Sequence, residues 1–137
     1  MLNQTAKELA RDIGKGKLSS VEVTDFFIDR IEKHNPIVNA VIAERFGEAR
    51  KEARRADQMV KRGEPLGALH GLPMTIKDAY EVTGLTCEVG HLPFKGRVSD
   101  SDAVVVKRLR EAGALILGKT NTPRHCADLQ TYNAIHG

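Results

Sequence analysis

The sequence predicts an α/β fold in which helices pack on an incomplete mixed or parallel sheet. Three features carry that expectation. The first half alternates helix-start signals with apolar residues at helical spacing. The second half holds two short apolar runs, 72–76 and 114–118, separated by a helical stretch, which is the pattern of a βαβ unit. The last residues, Tyr132 to Gly137, supply no element that would close such a sheet, so the chain is expected to form the opening part of a larger domain.

Each element has its own local reason. Thr5-Ala6-Lys7-Glu8 fits a capping box, in which the threonine oxygen accepts an orphan amide and the glutamate reaches back; a helix follows to about Gly14. Ser19-Ser20-Val21-Glu22 repeats the signal, and Val23, Phe26, Phe27 and Ile31 then form one apolar stripe. His34-Asn35-Pro36 is expected to stop that helix, because the residue before a proline is pushed out of the α region. Residues 38–42 read as a short strand. A third helix over about 44–62 places Phe46, Ala49, Ala53, Ala56 and Val60 on one face, and Gly63 suits its C′ position.

The character changes after Glu64-Pro65-Leu66-Gly67. Leu72 to Ile76 reads as a strand with Pro73 at its entry, where a missing donor is tolerated. Residues 78–100 read as loop or irregular strand. Ser101-Asp102 is expected to open a helix with Val105, Leu109 and Ala112 towards the core, ended by Gly113. The run Ala114-Leu115-Ile116-Leu117-Gly118 looks like a strand covered on both faces. Thr122 as N-cap and Pro123 at N1 predict one more helix. The chain is thus read as a single partial domain, with 1–63 a mainly helical lead-in and 64–137 the start of an α/β core.

Composition narrows the function. A chain of 137 residues suits one domain, and 41% apolar with 28% charged residues supports a core and a solvated surface. Aromatics make up 4% and tryptophan is absent, which argues against a stacking platform for single-stranded nucleic acid. The net charge is +3, but the densest basic stretch, Arg45 to Arg62, is interleaved with Glu48, Glu52 and Asp57. That is the pattern of a solvated helix face rather than a nucleic-acid footprint. Cys87 and Cys126 lie far apart without metal spacing and read as free thiols of a reducing compartment. No apolar run approaches a membrane span of roughly 20 residues, and the N-terminus lacks a signal-peptide layout. A cytoplasmic protein without nucleic-acid or membrane partners is expected.

The chemistry-bearing residues are few. His34, His70, His91, His125 and His136 form no metal-ligand spacing, so no metal or cofactor is expected. Gly118-Lys119-Thr120 has the tail of a phosphate-binding loop but no upstream glycine in the right place. No G-x-S-x-G elbow is present. What remains is Lys77, at the end of an apolar run. Most strand-end lysines are solvated. A lysine that serves as a base must instead be desolvated and neutral. Asp78 follows directly, but consecutive strand residues point to opposite faces, so it does not settle the matter.

The wider pattern does. GALHGLPMTIKDAYEVTGL, then SDAVVVKRLREAGALILGKTNTP and ADLQTYN, resembles the amidase-signature family in order and spacing, and SSVEVTDFFIDRIEKHNPIVNAVI resembles its leading helices. The resemblance implies the N-terminal part of the amidase-signature fold and the hydrolysis of linear carboxamides through a Ser–Ser–Lys triad without a cofactor. It makes Lys77 the general base, acting through a bridging serine held by a cis peptide bond. Both serines of the triad would lie beyond residues resembling QTYNAIHG, because none of Ser19, Ser20, Ser99 and Ser101 sits in a glycine-rich turn. Two positions depart from the family pattern: Arg124-His125 where an acidic residue commonly follows T-N-T-P, and Gly90-His91 where a serine often follows the glycine. Two expectations follow. The chain is part of an amidase for small-molecule amides and is inactive alone, or it is a non-catalytic module that forms homo-oligomers or pairs with the rest of the fold through an exposed sheet edge. Without its serines, Lys77 is expected to be solvated or tied to a carboxylate or carbonyl, because an unpaired buried ammonium is costly.

Overall fold

The computed structural model describes residues 1–137. It contains the helices α1 (Ala6–Gly14), α2 (Ser20–Val38), α3 (Phe46–Lys61) and α4 (Val104–Glu111), and the strands β1 (Val41–Glu44), β2 (Pro73–Lys77) and β3 (Leu115–Thr120). Short 3₁₀ turns occupy Leu92–Phe94 and Arg124–Cys126.

The first capping box forms as the sequence predicts. Thr5 Oγ1 accepts from the Glu8 amide at 3.3 Å, and Glu8 Oε2 accepts from the Thr5 amide at 2.7 Å. The second forms by half. Ser19 Oγ accepts from the Glu22 amide at 2.9 Å, and two more orphan amides of α2 are taken by another helix. Asp57 of α3 accepts from Ser20 N at 2.6 Å and from Val21 N at 3.2 Å. The charged stretch on α3 is therefore not only a solvated face, because Asp57 docks α3 onto α2 and Arg45 pairs with Glu52 at 2.6 Å.

Three expectations need correction. Helix α2 does not stop before Pro36 but continues to Val38. Pro36 lies in the last turn, so its missing amide removes one bond at the end of the helix rather than in the interior. The real stop is Asn39, left-handed at φ 46°, whose amide donates to Asn35 O at 2.8 Å. The Asn35 side chain then accepts from Val41 N and donates to Val41 O, both at 2.8 Å, so the strand starts at Val41 rather than Val38. Second, α4 begins at Val104, not at Ser101-Asp102. The Asp102 carboxylate is already committed to the Thr83 amide at 2.7 Å and to the Thr83 hydroxyl at 2.9 Å. Val106 is the fully buried residue of α4, while Val105 is exposed. Third, no helix follows Thr122-Pro123. Pro123 is extended (ψ 159°) and His125 is left-handed (φ 53°), which leaves only a 3₁₀ turn.

The sheet is mixed, with strand order β1-β3-β2. β3 runs antiparallel to β1 and parallel to β2, so the predicted βαβ unit is β2-α4-β3. β3 is covered on both faces, as its unbroken apolar run implies. Leu117 packs with Ile28, Phe46 and Ala49 under α2 and α3. Ile116 packs on the other side with Ile76, Val82 and Val106 under α4. Each fully buried isoleucine contributes about 1.5–3 kcal/mol through lost water contact. Gly118 is required for packing, since a Cβ there would collide with the carbonyl oxygen of Ala43 in the adjoining strand. The ladders are irregular. Met74 faces Ile116 but Thr75 faces Gly118, so Leu117 is an extra residue on β3.

Candidate active site

The end of β2 sorts three successive side chains by strand alternation. Ile76 is buried in the core, Lys77 is exposed, and Asp78 is fully buried. Lys77 makes no side-chain hydrogen bond or ion pair within these residues, and its amine stands in solvent. It emerges from an edge strand, because β3 is the only neighbour of β2.

Asp78 does not face Lys77. Its partner is Lys119 of β3, which the sequence offered only as the remnant of a phosphate loop. Both side chains are 0% exposed and their charged atoms lie 3.1 Å apart. Lys119 Nζ also donates to Thr86 O at 2.7 Å. The second Asp78 oxygen accepts from Glu88 N at 3.0 Å and Val89 N at 2.9 Å. Every charged atom of the pair is thus satisfied, as burial of two ions demands. The signal for Lys119 was present: like Lys77, it ends an apolar strand run. Its burial depends on Asp78 and the 86–89 loop folding over it, which no local pattern reveals.

The loop that Asp78 holds meets a second loop after β3. His125 N donates to Val89 O at 2.8 Å. Val89 (φ 48°), His125 (φ 53°) and Cys126 (φ 58°) all adopt the left-handed region that L side chains rarely enter. The two departures from the family pattern come together here, with the His91 and His125 rings 4.4 Å apart. Desolvation, His125 and Arg124 together hold the His91 imidazole below its ordinary value. An open cleft of about 1130 Å³ lies between the loops, walled by His91, Arg124, His125 and Tyr132, among others. Lys77 is not part of its wall. Nearby, Glu88 binds His136 at 2.5 Å and accepts from Gly96 N at 2.6 Å. Burial raises the Glu88 carboxyl, but these two partners outweigh it and leave it below the ordinary glutamate value.

No serine comes to Lys77. Ser19 caps α2, Ser20 Oγ donates to Gly71 O at 2.7 Å, Ser99 is buried and Ser101 is exposed. No group of three or more histidine, cysteine or acidic residues converges as a metal site. No helix is long and apolar enough to cross a membrane.

The sequence profile of the amidases matches residues 22–137. The chain belongs to the amidase-signature family. Among its relatives, an acylamidase of Rhodococcus erythropolis is 38% identical over 133 residues, covering 97% of this chain and 28% of the relative. An indoleacetamide hydrolase of Bradyrhizobium diazoefficiens is also 38% identical over 133 residues, covering 97% of this chain and 25% of the relative. Among solved structures, a fatty acid amide hydrolase superposes with a TM-score of 0.91 at 27% identity, over 98% of this chain and 24% of that one. A native peptide amidase from Stenotrophomonas maltophilia gives 0.80 at 33% identity, over 89% of this chain and 25% of that one. This amidase-signature chain therefore spans about a quarter of the length of the proteins it matches, and its α/β architecture is theirs over that quarter.

Proposed function

We propose that this chain contributes the lysine of a Ser–Ser–Lys amidase, with Lys77 as general base and both serines supplied by residues outside these 137. The reading rests on Lys77 itself. It lies inside the family match, at the exposed end of an edge strand, with an amine that no group of this chain engages. A neutral lysine amine accepts the proton of a bridging serine, which in turn activates the nucleophilic serine for attack on a carboxamide carbonyl. Within these residues Lys77 is exposed and has no serine partner, and on this reading the 137-residue chain alone does not turn over an amide. A small-molecule linear amide is the proposed substrate, in keeping with the acylamidase, fatty-acid amide hydrolase and indoleacetamide hydrolase among the relatives. A glutamyl-tRNA(Gln) amidotransferase subunit of Streptomyces coelicolor, 37% identical, marks an aminoacyl-tRNA as the alternative. The first half acts as a helical lead-in to the catalytic core.

Two assays test this. The isolated chain, given a simple aryl amide, is expected to show no turnover; turnover that Lys77→Ala abolishes would refute the need for outside serines. In a protein that joins this chain to a glycine- and serine-rich segment, Lys77→Ala is expected to lower kcat by about 10³-fold or more, and parent-like activity would remove Lys77 from the mechanism.

A second reading has one observation in its favour. The outer strands β1 and β2 each have β3 as their only neighbour, leaving two sheet edges open to pairing. On that reading the chain is a module that self-associates or docks the rest of the fold along β2. Light scattering decides whether it does so alone: a clean monomer with cooperative unfolding counts against self-association.

A further inference from the structure

We infer that the buried Asp78–Lys119 pair positions Lys77 by fixing the register in which the end of β2 meets β3. The need for such a device comes from the ladder. Leu117 is an extra residue on β3, so the pairing jumps from Met74–Ile116 to Thr75–Gly118. Beyond the jump only Thr75, Ile76 and Lys77 remain to hold the strand, facing Gly118, Lys119 and Thr120. A bulge loosens register locally, and a slip of one residue sends every following side chain to the opposite face. Here that slip has a specific consequence. It would bury Lys77 and expose Asp78.

Apolar packing cannot prevent the slip by itself, because Ile76 is the one buried apolar residue after the jump. The ion pair can. Asp78 Oδ1 lies 3.1 Å from Lys119 Nζ, and the residue facing Lys119 in the ladder is Ile76, so the pair forms diagonally in this register alone. The Asp78 amide adds a bond to Thr120 O at 2.9 Å. On the far side, Asp78 Oδ2 and Lys119 Nζ grip the amides of Glu88 and Val89 and the carbonyl of Thr86, so the 86–89 loop closes over the pair. Slipping would leave two charges and three backbone groups without partners in a place sealed from water. Asp78 and Lys119 are therefore positioning residues; neither need touch a substrate.

The part of this inference that concerns catalysis rests on Lys77 being the base. The part that concerns register does not, and the experiment separates them. In the amide-cleaving protein that carries this chain, Asp78→Asn, Lys119→Met and the double variant are compared with the parent. Three readouts are taken: kcat and KM, the rate at which an amine-acylating reagent labels Lys77 (read by peptide mass spectrometry), and hydrogen exchange at the Glu88 and Val89 amides. Each single variant is expected to lower kcat by about 100-fold, the loss typical of a catalytic group displaced by roughly 1 Å, with KM nearly unchanged. Labelling of Lys77 changes and exchange at Glu88 and Val89 quickens. Should a single variant fail to fold, the double variant stands in, because it leaves no lone buried charge. It is expected to fold yet keep the low kcat and the altered labelling. Parent-like labelling and kcat in a folded double variant overturn the inference. If instead Lys77→Ala keeps full activity while Lys77 labelling still responds to the pair, the base assignment fails and the register lock stands.

Discussion

Removal of the Asp57 carboxylate is expected to destabilise the fold far more than a charge on a helix face should. Asp57 accepts from Ser20 N at 2.6 Å and Val21 N at 3.2 Å, at the positive end of α2, a helix of 19 residues. Ser20 is fully buried and its hydroxyl is occupied by Gly71 O, so no local group replaces the carboxylate. Asp57→Ala therefore leaves two amides short of partners and removes an anion from a helix N-terminus. One charge-assisted bond contributes about 1.5–3 kcal/mol and the helix-dipole effect about 0.3–1 kcal/mol. Because the second bond is long, a total of about 2–4 kcal/mol is expected. Asp57→Asn keeps one acceptor without the charge and should lose about half of that. Urea unfolding at neutral pH, followed by far-ultraviolet circular dichroism, measures it as a lower midpoint at unchanged slope. The exposed neighbour Arg55, changed to alanine, serves as the control and should stay within about 0.5 kcal/mol of the parent. An Asp57→Ala variant as stable as that control would refute the capping argument.

Other outcomes follow from the same structure. Gly118→Ala should cost about 3 kcal/mol or leave the chain unfolded, because the new methyl group meets strand backbone that cannot yield; calorimetry checks this. Ile116→Ala, at the fully buried centre of β3, should cost about 3–4 kcal/mol in the same assay. For Asp102, burial raises the carboxyl, but the Thr83 amide, the Thr83 hydroxyl and Arg110 outweigh it and hold it below the ordinary aspartate value. A carboxylate depressed on folding stabilises the native state above its unfolded value and loses that contribution as pH falls through the folded one. The stability gap between the parent and Asp102→Asn should accordingly be widest near neutral pH and close under acid conditions; a gap that stays constant with pH argues against it. Desolvation is the main cause that holds His91 down, and the His125 ring adds to it, so His125→Ala should raise the His91 titration midpoint, read by NMR; an unmoved midpoint would mean that the His125 ring does not influence His91.

The elements legible in the sequence were those with local causes. The Thr5 capping box, the apolar faces of α2 and α3 and the doubly covered β3 each follow from residues close together in the chain. The misplaced boundaries have non-local causes. Pro36 stays helical because Asn35 ties the exit of α2 to Val41, and Asp102 leaves the start of α4 uncapped because Thr83 claims it first. The site divides in the same way. The motif around Lys77 stood out as a short stretch resembling the amidase-signature family. The Asp78–Lys119 pair joins the residue just past β2 to a residue of β3, and only the ladder brings them together. The meeting of His91 with His125 likewise needs the two loops folded against each other.

The place of β3 in the middle of the sheet carries a consequence for the order of folding. Val41 of β1 waits for Thr120, and Pro73 of β2 waits for Leu115, so neither outer strand has a partner until β3 exists. On a ribosome, the helices α1 to α3 can form while the chain emerges, but the sheet cannot begin before the sequence is synthesised through β3. The β1 connection closes nearly twice as long a loop as the β2 connection, at an added entropic cost of only about 0.6 kcal/mol. That small difference leaves the parallel pairing a slight kinetic lead. The lysine-bearing strand is then expected to dock first, with β1 arriving to complete the ladder.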